Sequence, residues 1–323
     1  MTKIRIEDRG SRIGLSPKCG ARLVPPRSSL LTPDRTTSHS TRLPNNASQV
    51  AGYRSSKGFT LVEMVMVIVI TGIIGGIVAV FLTAPVRQYV DVARRAELTD
   101  IADTALRRVT RDVRLALPNS VRVAGTCDGT TTCFLEFLPA PSGGRYRAGP
   151  GGADDILDFA AADTSFEVLG PMPTAAAGNQ IVVYNLGITG ADAYAGNNRT
   201  AYGSTAGAII NITSKLFPFD SPGHRFHVTT TPVSYACDGA GTLWRYWGYA
   251  IQPLQTSTDS IAELDALAGV QKARLATNVS SCRFTYDANV VAQRSGLVTM
   301  HLAVTEEGET ATLYNAAHVS NQP

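Results

Sequence analysis

The chain has 323 residues, of which 44% are hydrophobic and 17% charged. That composition excludes wholesale disorder and allows one large domain or two modest ones. The net charge of +3 is an uneven sum, +8 over residues 1–57 and −5 over the rest, so the basic pI of about 8.6 is no footing for a nucleic-acid role.

Residues 1–58 are rich in Ser, Thr, Pro and Arg without hydrophobic period, and are expected to be a disordered leader. Translation from Val50 or Val24 would shorten this segment, Val50 leaving the compact stretch 50–58.

From Phe59 to Ala84 the sequence reads FTLVEMVMVIVITGIIGGIVAVFLTA, apolar throughout except for Glu63. As a helix these 26 residues span about 39 Å, enough to cross a hydrocarbon layer of roughly 30 Å. A soluble helix of that length would carry a polar face, and this one has none. A carboxylate at mid-bilayer costs about 2.5–3.5 kcal/mol, so Glu63 either snorkels to the headgroups or has a function. Gly72 and Gly76 are spaced as G-x-x-x-G, which permits close helix contact. A secretory signal is excluded by order: its small-residue cleavage site follows a short apolar run, whereas Ser55-Ser56-Lys57-Gly58 precedes this one. Flanking charge does not orient the segment, because Arg42, Arg54 and Lys57 on one side match Arg87, Arg94 and Arg95 on the other.

Past Pro85, a candidate kink, the pattern becomes amphipathic. Ile101, Ala105, Val109, Val113 and Ala116 form one helical stripe, predicting a helix that continues to Leu117 and stops at Pro118. Arginines and aspartates interleave on its other faces, which marks a solvated surface rather than a nucleic-acid site.

Residues 118–323 read as short strands divided by Gly, Pro and Asn. Candidates are 132–138, 180–186, a hairpin of 225–236 with 242–251 across Asp238-Gly239, and the alternating Val298, Met300, Leu302 and Val304. Glu307-Gly308 is predicted to turn into a last strand at 311–319. A short helix is predicted over 261–268, with Ser260 and Glu263 as a capping box and Gly269 as its stop. The Gly-rich stretch 141–153 reads as a loop and lacks the Lys-Ser/Thr of a P-loop. The fold class predicted is α+β: one long helix, membrane-spanning in its first half, packed on an antiparallel β-sheet head.

Five cysteines are present, at 19, 127, 133, 237 and 282. Removing residues 1–58 takes Cys19 away and leaves an even set of four, which suits an oxidising compartment. Three pairings are open; Cys127 with Cys133 and Cys237 with Cys282 is the favoured one. Asp154, Asp155 and Asp158 cluster after the Gly-rich stretch and form a weak calcium candidate without EF-hand spacing. His224 and His227 are expected at the surface edge of a strand rather than on zinc. Neither G-x-S-x-G nor H-E-x-x-H occurs, so no nucleophile is supplied with its motif and no enzyme is expected, although catalytic groups can lie far apart in sequence.

Lys57-Gly58-Phe59-Thr60-Leu61-Val62-Glu63 closely resembles the cleavage signal of type IV prepilins and type II secretion pseudopilins. The resemblance implies that a prepilin peptidase cuts after Gly58 and methylates the new Phe59 amine. It also implies that Glu63, fifth in the mature chain, sets register among pilin subunits. With it come a cytoplasmic N-terminus, a periplasmic head, membrane lipid and inner-membrane assembly machinery as partners, and no cofactor. The stretches Arg114–Arg122, Asp155–Phe166 and Ala317–Pro323 are similar to minor pilins of the mannose-sensitive haemagglutinin (MSHA) pilus. J-type minor pseudopilins of type II secretion are the nearest alternative, and a membrane-anchored adhesin or hydrolase the more distant one.

Overall fold

The computed structural model describes residues 58–151, 155–291 and 295–323, so the expectations for residues 1–57, Cys19 among them, and for Asp154 lie outside the described residues. The chain divides into two units between Glu63 and Met64.

The apolar run and the stripe beyond it make one helix, α1 (Leu61–Val113), assigned without a break through Pro85. At 1.5 Å per residue it is about 80 Å long. It ends four residues earlier than the periodicity predicts. The Leu115 and Ala116 N–H groups bond to the carbonyls of Asp112 and Val113, each at 3.0 Å, and tighten the last turn. Leu117 then donates to the Leu138 carbonyl, and Ala140 donates to that of Leu115, each at 2.7 Å. Pairing with another strand end, not Pro118, terminates the helix.

The strands follow as β1 (Arg122–Gly125), β2 (Cys133–Phe137), β3 (Ser142–Tyr146), β4 (Asp163–Leu169), β5 (Gln180–Val183), β6 (Arg199–Ala206), β7 (Ile209–Lys215) and β8 (Arg225–Thr229). After them come β9 (Val233–Cys237), β10 (Leu243–Trp247), the helix α2 (Ile261–Ala266), β11 (Gln271–Ala276), β12 (Val279–Val291), β13 (Ser295–Glu306) and β14 (Glu309–Ser320). A five-stranded sheet has the order β1-β2-β9-β10-β11 and a three-stranded one β12-β13-β14. The strands between β2 and β9 close on themselves as an antiparallel barrel, β3-β4-β7-β6-β5-β8. The head therefore consists of two sheets clasping a helix, with a barrel inserted in the middle of the chain.

Leu98, Ala102, Ala105, Leu106, Val109 and Val113 form the buried stripe of α1, and they share one core with both sheets. The strict alternation of Val298, Met300, Leu302 and Val304 is realised in β13, each of the four being buried. Ser260 caps α2, its hydroxyl accepting from the Glu263 N–H at 3.2 Å.

Two of the strand and loop assignments differ from expectation. The Gly-rich stretch holds a strand, β3, because an added Cβ at Gly143 would lie 2.6 Å from the Phe226 carbonyl oxygen, so glycine lets β8 approach closely and close the barrel. The run 225–236 is two strands, not one. It breaks at Thr230-Thr231-Pro232, and β8 joins the barrel while β9 joins the five-stranded sheet.

His227 lies on β8, which is paired on both sides and is no edge. Its Nε2 is buried and has no hydrogen-bond partner among the described residues. Burial, aided by the charge of Arg225, pulls the imidazole down to about 4. Because the folded-state value lies below the usual 6.5, the unfolded chain binds the proton first, and stability present above pH 6.5 is lost as pH falls toward 4. Lowering the pH from 7 to 4.5 is expected to cost the wild type on the order of 2–3 kcal/mol more than a His227→Phe chain, checked by urea midpoints of both at each pH.

Candidate functional site: the exposed junction and the anchored helix

Gly58, Phe59 and Thr60 lie outside the helix and are exposed, Phe59 to 80%. Thr60 sits at the N-cap position and accepts the Glu63 N–H on its hydroxyl at 3.2 Å. Thr60-Leu61-Val62-Glu63 has the same S/T-x-x-E spacing as Ser260–Glu263. The spacing at Thr60 is therefore a local sequence signal for the start of α1, as that at Ser260 is for α2. It gives Glu63 a local task as well: a carboxylate in the first turn of α1 faces the positive end of the helix dipole. The peptide bond after Gly58 therefore stands in accessible, non-helical chain immediately before a capped helix start.

No large apolar side chain of α1 from Leu61 to Val92 is buried, and the first buried one is Leu98. This apolar surface is far larger than water tolerates on a monomer. It is long and apolar enough to cross a membrane. An added Cβ at Gly72 or Gly76 would meet nothing within 4 Å, so both glycines lie open on the uncovered face.

Beyond the apolar part, polar contacts fix the helix to the head. Asp112 Oδ2 accepts from Arg245 Nε at 2.9 Å and from the Tyr235 hydroxyl at 2.8 Å, with Arg108 Nε at 3.3 Å. Burial, together with this carboxylate, pushes the Tyr235 phenol up. Removing the carboxylate strands a mostly buried guanidinium. Asp112→Ala is therefore expected to cost about 3 kcal/mol, with Asp112→Asn losing less, as read from urea midpoints.

A second buried pair ties the sheet to its surroundings. Glu136 Oε2 lies 2.9 Å from Arg122 Nη2 and accepts from Thr258 Oγ1 at 2.7 Å. Burial nonetheless holds this carboxyl above its usual value. The Arg122 guanidinium also reaches the carbonyls of Gln252 and Pro253 and stacks 3.6 Å over the Tyr194 ring, between the barrel strands β5 and β6 in sequence. These contacts join barrel, sheet and the segment leading to α2.

Cys127 and Cys133 form a disulfide with Cα atoms 4.6 Å apart, and Cys237 and Cys282 one at 6.0 Å. Cys133 and Cys237 are register partners on β2 and β9. The second disulfide thus links the five-stranded sheet to β12 of the three-stranded one, while the first lies beside it. Of the calcium candidates, Asp158 Oδ1 accepts the Ala160 N–H at 2.7 Å, and the Asp155 carbonyl accepts that of Glu167 at 2.8 Å. Among the described residues no three His, Cys, Asp or Glu side chains converge as a metal site would require.

Residues 53–79 match the prokaryotic N-terminal methylation motif. The match covers less than a tenth of the chain, and it spans Gly58, Phe59, Glu63, Gly72 and Gly76. Nothing among the curated proteins or the solved structures matches the chain. The motif is a prepilin-type signal, which implies processing by a prepilin peptidase and assembly with other pilins; with the uncovered apolar helix it points to membrane anchoring.

Proposed function

We propose that this chain is a minor pilin-like subunit, cut after Gly58, methylated at Phe59, and assembled through α1 into a filament or its initiation complex. The observation that carries the reading is the coincidence of an accessible Gly58-Phe59 junction with a helical segment, Leu61 to Val92, whose large apolar side chains the head leaves exposed. The uncovered part is held first by lipid and then by the equivalent helices of neighbouring subunits. In that bundle the Glu63 carboxylate pairs with the Phe59 amine of a neighbour, removing two charges that would be costly alone. The pair forms only at one axial offset, so it selects register. No catalytic step, metal or cofactor is assigned to the chain.

The head stretches quoted above favour a subunit of the MSHA type, similar to the minor pilin MshO, with the N-terminus cytoplasmic and the head periplasmic. A large β-rich head on the same kind of signal is shared with J-type pseudopilins. Co-purification decides between them: recovery of the chain in sheared surface pili supports the first reading, and recovery with the inner-membrane type II secretion complex alone supports the second.

A further inference from the structure

The three-stranded sheet ends on β14, twelve residues paired with β13 in unbroken register from Glu306↔Glu309 to Ser295↔Ser320. Among the described residues no backbone hydrogen bond reaches its other side. The two-residue turn at Glu307-Gly308 makes Glu309 and every second residue after it face β13, so the N–H groups of Thr312, Tyr314, Ala316 and His318 point outward. The Ala316 N–H donates to its neighbour Asn315 Oδ1 at 2.7 Å and so not to β13.

Folded proteins ordinarily guard such an edge with Lys, Pro, a bulge or shortness. The edge strand β11 is short and carries Lys272 and Arg274. By contrast β14 has no Lys, Arg, Pro or bulge, and Glu309, its one carboxylate, is engaged by Arg95 at 2.6 Å.

That ion pair also places β14 along one flank of α1. An open groove of about 520 Å³, lined by α1 residues alone, Val92, Arg95, Ala96, Thr99, Asp100 and Asp103, meets β14 at the Arg95–Glu309 pair. Val92 is 69% exposed, and Asp100 has no ionic partner among the described residues. A strand added to β14 lays alternate side chains into this groove, where small apolar groups and one basic group facing Asp100 fit.

The direction of β14 selects the occupant. It starts beside Arg95 and ends next to Asn321, whose carbonyl accepts from Asn119 Nδ2 at 3.3 Å, so it runs the same way as α1. Antiparallel pairing with β14 of a second copy would point two apolar helices in opposite directions, which one membrane surface cannot accept. We infer that β14 is an acceptor edge for a different strand, donated by a neighbouring subunit whose helix runs the same way as α1. This inference rests on the subunit reading above.

Hydrogen exchange of the full chain, in detergent micelles and in sheared filaments, tests it. Amides of Thr312, Tyr314 and His318 exchange at least about tenfold more slowly in filaments if the edge is paired, while those of Leu313 and Ala317 are slow in both. Equal exchange at the outward amides overturns the inference and leaves the subunit reading intact. A photo-cross-linker at position 312 is expected to join a strand other than β14 of a neighbouring subunit; an adduct between position 312 of two copies overturns it. Thr312→Pro, which deletes an outward N–H but no β13 bond, is expected to be cleaved like wild type yet be depleted from filaments, with Thr312→Val as the control that keeps the N–H. Wild-type chain that is never cleaved and never enters filaments overturns the subunit reading and this inference together.

Discussion

A chain carrying Gly58→Leu is expected to accumulate at its full precursor mass in cells that contain the prepilin peptidase, while wild type loses its first 58 residues. Gly58 has no side chain and stands exposed in non-helical backbone directly before the capped start of α1. A protease needs extended, reachable chain at the scissile bond, and a bulky residue there fills the space the enzyme's own groups must occupy. The uncut segment would also leave Phe59 without a free amine, so methylation and charge pairing at that atom would both be lost. Intact-mass measurement of the membrane fraction reads the result. An unchanged cut in Gly58→Leu would remove Gly58 from its assigned role.

Glu63→Ala is expected to be cut normally and inserted normally, yet to fall in filament incorporation on the order of a hundredfold, the consequence of leaving a buried amine without its partner. The capping geometry at Thr60 requires a control, because Glu63 lies at the third helical position, where a side chain can also support the helix start. Glu63→Gln keeps the capping-box residue class and removes the charge. If incorporation depends on the ion pair, Gln fails as Ala does; if it depends on helix initiation, Gln restores it. Quantifying the chain in sheared filaments against total processed chain separates the outcomes. Normal incorporation of both variants would leave Glu63 with the local cap alone.

Much of the helical part was legible because its signals are local. The apolar run, the stripe at Ile101, Ala105, Val109 and Val113, and the Ser260–Glu263 cap each depend on residues within one or two turns of one another. The helix end was not, since the Leu117 N–H is taken by the carbonyl of Leu138, twenty-one residues away. The last hairpin was legible for the same local reasons, a period of two flanking Glu307-Gly308. The barrel was not. Its closure depends on β3 pairing with β8 across about eighty residues, and the glycines that allow this contact look like a loop when read alone. His227 illustrates the same limit: an alternating strand is visible in sequence, but whether it has one neighbour or two is not, and that decides whether a histidine is wet or buried.

Local sequence was enough to predict the apolar run with its single carboxylate, the motif around Gly58-Phe59 and a β-rich head, because length, polarity and short spacing carry those properties. Long-range packing was needed to leave α1 uncovered as far as Val92 and clasped from Leu98, to interrupt the sheet with a barrel, and to leave β14 as an open edge. Each of these is a statement about which residues far apart in the chain exclude water from one another. Hydrophobic periodicity says that a face will be buried; it does not say against what.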